Sequence, residues 1–410
     1  MTVSRPRATP FVLAVSAVVA VTLLFTTVDP WLDKAGILAG GLDVHIYREG
    51  AWRLLHGHSL YDEETVGGLL YTYTPFSAIV FLPGLAVPAV WITDAFLVVN
   101  VLVLYACVLL SGRMLGYRLN AASASIAALL AITCLFLEPV RTTLFYGQIN
   151  LVLMLLVLWD FSRPERSRGR GVGVGIAAGI KLVPGFFLVQ FLALRQWRAA
   201  ATAALAVAAT IGLAWLVSPE DSRRYWFSTF FHADRIAPDT DPANQSIRGV
   251  LAHLTGGTAP LWCWLLLALG IAALGLWLSV ALYRRGERLL SVTLAGMTSC
   301  AVSPFAWGHH WVWFVPLLVH LVHRAQSNPR WWAAAAALFI ATGAWTYQWT
   351  PDFASVGVFV LPKPWHTEPI LENAHVLGFA CVLLYAWSVL RTRDLDHTTS
   401  NHRMLDRSCT

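Results

Sequence analysis

Val172–Leu194 reads VGVGIAAGIKLVPGFFLVQFLAL, with arginines on both flanks: Arg163, Arg166, Arg168 and Arg170 before it, Arg195 and Arg198 after it. The run is apolar enough to leave water, yet a lysine and a Pro-Gly pair interrupt its middle. Short basic loops stay on the cytoplasmic side of a membrane, so both flanks share that side and the run must enter and return. Lys181-Leu182-Val183-Pro184-Gly185 is where such a hairpin turns, with its tip pointing into the protein. Irregular backbone is tolerated at membrane depth only where protein or a wet cavity surrounds it. The break therefore predicts a cavity wall.

The rest of the chain has the same character. Of its 410 residues 57% are hydrophobic and only 13% charged, and the mean hydropathy of +0.60 exceeds what a soluble core can bury. An all-α polytopic membrane protein follows. The first apolar segment, Phe11 to Thr26, has Arg5 and Arg7 before it and no small-x-small cleavage site after it, so it reads as an uncleaved first helix. Further apolar runs lie near 76–90, 95–110, 121–137, 144–159, 199–217, 261–282, 289–306, 311–322, 331–346 and 374–390. With the hairpin they predict about 11 to 13 membrane segments, crossing or re-entrant. Arg284, Arg285 and Arg288, then His323 and Arg324 to Arg330, and finally Arg391 and Arg393 mark further cytoplasmic segments.

The expected layout is a single integral membrane domain over 1–410. It has a first outer loop (29–75), a transmembrane core (76–217), a second outer loop (218–260), carboxy-terminal membrane helices (261–390) and a cytoplasmic tail (391–410). The alternation of sides fails between 75 and 150 unless one run there does not cross, and 76–90, which carries Pro83 and Pro88, is the one that can tilt or break. The formal charge of +6 resides in topology-setting loops, which excludes a nucleic-acid partner in favour of membrane lipids. The six cysteines contain no C-x-x-C pair and read as packing thiols. No internal repeat is visible, which weakens a transporter built from matched halves.

Four groups of polar residues stand out. Gly40-Gly41-Leu42-Asp43-Val44-His45-Ile46-Tyr47-Arg48 places a carboxylate, an imidazole, a phenol and a guanidinium at the start of a helix in the first outer loop; Asp43 either caps that helix or faces a cavity. In Glu138-Pro139-Val140-Arg141 to Gly147-Gln148-Ile149-Asn150, the two amides entering an apolar run must meet protein or a polar ligand, because unpaired they cost several kcal/mol. Lys181 is a cation inside an apolar run, which either snorkels or meets an anion. Ser303-Pro304-Phe305-Ala306-Trp307-Gly308-His309-His310-Trp311 is an aromatic belt with incidental histidines, or a site where one histidine meets a phosphate or hydroxyl. Asp239-Thr240-Asp241 reads as a turn rather than a metal-binding D-x-D.

Taken in order, Asp43-x-x-x-Tyr47, Leu60-Tyr61, Tyr73-x-Pro75, Arg141 to Gly147-Gln148-x-Asn150, Gly179-x-Lys181-x-x-Pro184 and Ser303-Pro304 to His309-His310-Trp311 resemble one family. It is that of the actinobacterial GT-C-fold mannosyltransferases using polyprenol-phosphate-mannose, which includes the enzyme elongating phosphatidyl-myo-inositol mannosides. The resemblance implies an inverting transfer of mannose to a mannosylated phosphatidylinositol acceptor, giving an alpha-1,2 product on the outer, periplasmic side of the cytoplasmic (inner) membrane. It makes Asp43 the general base and Lys181, Arg141 and His309 or His310 the groups facing the leaving phosphate. His45, Tyr47, Arg48, Tyr61, Tyr73, Gln148, Asn150 and Trp307 complete the expected substrate-binding wall. A phosphate leaves without a general acid, so one carboxylate suffices where a glycosidase needs two, and neither a metal nor a cofactor beyond the lipid-linked donor is expected. A GT-C transferase using another donor such as decaprenyl-phosphate-arabinose, one acting on lipomannan, and a lipid or sugar transporter remain as alternatives.

Overall fold

The computed structural model describes residues 8–28, 40–232, 237–346 and 356–407. Arg5, Arg7, Cys409, the 29–39 part of the first outer loop and residues 347–355 lie outside them, as does the side chain of Arg393. The described residues form helices and loops, joined in places by isolated bridges such as Asn244 with Trp307. In chain order the first helices are α1 (Ala8–Leu23), α2 (Leu42–His56), α3 (Pro75–Phe81), α4 (Ile92–Met114), α5 (Ala121–Cys134), α6 (Glu138–Tyr146) and α7 (Asn150–Ser162). Then come α8 (Val172–Ile180), α9 (Phe186–Ala193), α10 (Trp197–Val217), α11 (Pro219–Phe227), α12 (Ile247–Thr255) and α13 (Leu261–Arg284). The chain finishes with α14 (Arg288–Val302), α15 (Phe314–Ala325), α16 (Trp331–Ala341), α17 (Glu368–Leu371) and α18 (Ala374–Arg407).

Among the described residues 5 helices are long and apolar enough to cross a membrane unaided: Thr9–Thr26, Ala89–Met114, Trp197–Val217, Leu261–Arg284 and Ala374–Arg391. Several shorter apolar helices, such as Ala121–Cys134, Arg288–Val302 and Trp331–Ala341, pack among them. The protein is a multi-pass membrane protein.

The uncertain stretch between 75 and 150 resolves through its prolines. Thr74 caps α3 by accepting from the Ser77 amide, and Pro75 stands in its first turn, where a missing amide hydrogen is harmless. Pro83 then sits in a 3-10 turn, Leu82–Ala86, and the chain reaches Thr93, whose hydroxyl lies 3.3 Å from His45 Nε2. So 76–90 begins and ends beside α2 and does not cross. From there α4 climbs about 1.5 Å per residue, which carries Arg113 roughly 30 Å away to the opposite face. The apolar run expected over 144–159 is also broken. Gly147 adopts φ +68°, a conformation that suits glycine, and α6 and α7 meet there at 119°. Asn100 Nδ2 secures the bend by donating to the Gln148 carbonyl at 3.1 Å.

The stretch 172–194 enters and returns. Gly171, Gly175 and Gly179 lie against Ala199, Ala206 and Thr210 in turn; a Cβ on them would fall 2.2 Å from the Ala199 carbonyl oxygen, 2.4 Å from Ala206 Cβ and 2.3 Å from Thr210 Oγ1. The numbers rise together, so α8 runs parallel to α10 at backbone contact. After the break at 181–185, α9 comes back until the Phe191 ring centroid is 5.5 Å from the Arg170 guanidinium. Gln190 would be costly at this depth unpaired, and its amide donates to Ser279 and Ser291 at 2.6 and 3.1 Å. On the face away from the hairpin tip the basic loops converge, with Arg284 donating to the Ala193 carbonyl at 3.4 Å and Arg288 3.8 Å from Glu165.

The glycine stripe gives a prediction. Gly175→Ala puts a methyl where no space exists, so its melting temperature in detergent should fall, by an amount matching the ~1–3 kcal/mol usual for overpacking. Gly212→Ala on α10, where nothing lies within 4 Å of the new Cβ, should be neutral or stabilising. Equal behaviour of the two variants would show that the α8–α10 contact does not depend on glycine.

Candidate active site

At the end of the helices away from the basic loops lies a cavity of about 1000 Å³ lined by Asp43, Tyr73, Gln148, Lys181, Trp307, His309 and His310. Asp43 is the second residue of α2. The N-cap is Gly41, in a left-handed conformation and making no side-chain cap bond, so Asp43 is not spent on capping and its carboxylate turns to the cavity.

A chain of hydrogen bonds orients that carboxylate. Tyr47 O–H donates to Gln148 Oε1 at 2.8 Å, Gln148 Nε2 to the Tyr73 oxygen at 3.4 Å, and Tyr73 O–H to Asp43 Oδ1 at 3.4 Å. Burial, with the neighbouring Asp43 charge, keeps the Tyr73 phenol well above its usual range, so it remains a donor. Burial also pushes the Asp43 carboxyl up to about 6, against hydrogen bonding from Gln148, the charge of Lys181 and hydrogen bonding from Tyr73, which pull it down. The carboxyl thus titrates within reach of neutral pH, where a general base works best.

Lys181 stands at the hairpin tip on the same cavity. Its ammonium donates to Asn150 Oδ1 at 3.2 Å and to His310 Nε2 at 2.8 Å, and Asn150 Nδ2 donates to the His309 carbonyl at 3.2 Å. Burial, then the nearby lysine charge, hold His309 and His310 well below the usual imidazole range. Both rings are therefore neutral, and His310 accepts from the lysine through Nε2. That leaves His310 Nδ1 and His309 Nε2 buried and without a partner among the described residues. A lysine ammonium with a third N–H beside orphaned imidazole nitrogens is a site built to receive an anion or hydroxyl.

Other expected residues lie elsewhere. His45 faces Thr93 and, like Arg48, does not line the cavity; both sit on a different face of α2 from Asp43 and Tyr47. Tyr61 is a brace, donating to the Tyr73 carbonyl at 2.8 Å. Arg141 is fully buried, its guanidinium 4.4 Å from the Phe145 ring centroid, and it is not among the residues lining the cavity. Asp239 pairs with Arg248 at 2.9 Å, and Asp241 Oδ1 accepts from the Ala243 amide at 2.8 Å, as befits a turn.

Glu138 lines the cavity with Thr142, and its partner behind the lining was not expected. Glu138 Oε2 is 2.9 Å from His375 Nε2, and Thr142 donates to Oε1 at 3.0 Å. Gly308 passes so close that a Cβ there would be 2.5 Å from Oε1. A carboxylate and a histidine separated by most of the chain leave no local pattern, although a glutamate opening an apolar stretch is a usable signal.

The family model for glycosyltransferase family 87 matches residues 71–304. The chain belongs to that family. The match contains Tyr73, Gln148, Asn150 and Lys181, while Asp43 precedes it and the two histidines follow it. Two relatives bear the name polyprenol-phosphate-mannose-dependent alpha-(1-2)-phosphatidylinositol pentamannoside mannosyltransferase. The one from Mycolicibacterium smegmatis is 33% identical, over 80% of this chain and 80% of its own length. The one from Mycobacterium tuberculosis is also 33% identical, over 85% of this chain and 82% of its own. A second M. tuberculosis protein, named for phosphatidylinositol mannoside without the pentamannoside, is 32% identical over 76% of each chain. No solved structure matches the chain.

The raised Asp43 carboxyl makes a prediction about stability. Because the folded state holds this proton more tightly than the unfolded chain, ionising Asp43 removes stability as pH rises from about 4 to about 6, and the loss is complete above that. Asp43→Asn removes the cost. Its melting temperature should match wild type at pH 4 and exceed it at pH 7.5, and a gap of the opposite sign, or none at either pH, would show that Asp43 is not desolvated.

Proposed function

We propose that this protein is an inverting mannosyltransferase that moves mannose from polyprenol-phosphate-mannose to a phosphatidylinositol mannoside, forming an alpha-1,2 linkage. The observation that carries this is the juxtaposition, in one cavity, of a carboxylate near neutral titration with a lysine-histidine anion cradle. The names of the relatives support the donor and the acceptor class.

The acceptor hydroxyl attacks the anomeric carbon of the mannose, forming the new C–O bond as the bond to the phosphate oxygen breaks. Asp43 takes the hydroxyl proton, and the leaving polyprenyl phosphate keeps the electron pair. Lys181 and the neutral His310 stabilise the charge that develops on that phosphate, in a site where exclusion of water strengthens each contact. The apolar side of the cavity, with Leu182, Val183, Phe186, Val189 and Val302, suits the prenyl chain. Glu138 and Thr142, which also line the cavity, suit sugar hydroxyls. The basic loops all lie on the face away from the cavity, so by the positive-inside rule the cavity faces the periplasm across the inner membrane.

The direct test is purified protein in detergent with polyprenol-phosphate-mannose and a mannosylated phosphatidylinositol, followed by mass for one added hexose. Failure to add it with any such acceptor would end the proposal. Asp43→Asn should bind donor but lose about 10²–10⁴-fold in rate, and the wild-type rate should rise with pH through about 6, because only the ionised carboxylate accepts a proton. Lys181→Met should raise the apparent KM for donor more than that for acceptor; equal changes would mark the lysine as structural.

A further inference from the structure

On the face opposite the cavity, α4, α5 and α15 part to leave a crevice of about 570 Å³, within the roughly 300–1,000 Å³ typical of ligand sites. Its depth is apolar, with Leu109, Ile126, Leu130 and Val319 in the walls, and its mouth carries Arg113 and Arg118. No aspartate or glutamate lines it. Tyr117 and His323 close one side, hydrogen-bonded across the helices at 2.7 Å. Both arginines are exposed, one at the last turn of α4 and one just beyond it.

We propose that this crevice holds one anionic phospholipid of the leaflet on the arginine-rich face, an acyl chain between α4, α5 and α15 and its phosphate at Arg113 and Arg118. An apolar cleft at membrane depth stays dry, so hydrocarbon is its natural filling. Cations at the mouth with no carboxylate among the lining residues select a headgroup of net negative charge, because each arginine near a lipid headgroup adds to binding. The crevice is separated from the candidate active site by the length of α4, so this lipid is neither donor nor acceptor in transfer. It fills a gap in the packing of α5, one of the shorter apolar helices.

The test is native mass spectrometry of the full chain in mild detergent, titrated with phosphatidylglycerol or phosphatidylcholine bearing the same acyl chains. One phosphatidylglycerol should be retained, with about 30-fold preference over phosphatidylcholine if both arginines contribute. Arg113→Gln with Arg118→Gln should abolish the preference while leaving the lipid-free melting temperature unchanged, which keeps the outcome separate from misfolding. Ala127→Phe, which fills the buried wall, should weaken both lipids alike. Equal retention of the two lipids by wild type, or a preference that survives the double variant, overturns the proposal. So does competition by glycerol phosphate as strong as by whole lipid, which would mean a headgroup site alone, or a dimer that buries Arg113, which would mean an interface.

Discussion

The structure depends on how a cation is kept at membrane depth. Lys181 rests on two acceptors, Asn150 Oδ1 and His310 Nε2, supplied by segments far apart in the chain. Each has to be delivered by an unusual piece of backbone: the Gly147 bend for Asn150 and the Trp307–His310 turn for the histidine. The lysine itself arrives on a hairpin that fits only because glycines let α8 lie against α10. A buried charge left without such partners costs several kcal/mol or loses its proton. The bend, the turn and the hairpin are thus mutually required, and the cavity is the space they leave.

Asp43 answers to the opposite demand. Nothing in the fold needs a carboxylate there, since α2 is capped by Gly41 and its buried face is formed by Val44, Ile46, Tyr47 and Ala51. The Tyr47–Gln148–Tyr73 chain supplies just enough donation to fix the group without returning its titration to the ordinary carboxylate range. Lys181 is held by two acceptors, whereas burial outweighs the donors around Asp43. Groups held in this second way are those expected at functional sites.

Much of this could be read from the residues because membrane burial raises the cost of a polar atom. Gln148, Asn150, Lys181 and the paired histidines stand out in apolar sequence and all meet at the cavity. The same rule says only that a group is satisfied, not by what: Arg141 lies over the Phe145 ring, off the lining of the cavity, and nothing in its own stretch of sequence shows that. Along α2 polar side chains point to two sides, and only packing against Thr93 and Tyr73 decides that Asp43 and Tyr47 face inward while His45 and Arg48 do not. The contact of Glu138 with His375 spans the chain and obeys no helical period, so sequence gave no route to it. The failure of 76–90 to cross was legible in Pro83 and Pro88, whereas the 119° bend at Gly147 needed the structure.

A re-entrant tip also explains why the anion cradle is built from backbone breaks instead of an outer loop. A lipid-linked sugar phosphate is tethered by its own chain near the edge of the hydrocarbon, so the groups that meet it must sit at that depth and not above it. Loops above the membrane are solvated and mobile, and their charges are screened within about 8–10 Å by salt. A lysine held between an asparagine and a neutral histidine suffers neither weakness, and the short helices α8 and α9 give it a rigid base. Phe186 and Val189 line the cavity with it, so in the proposed reaction one hairpin would meet both the phosphate and the prenyl chain.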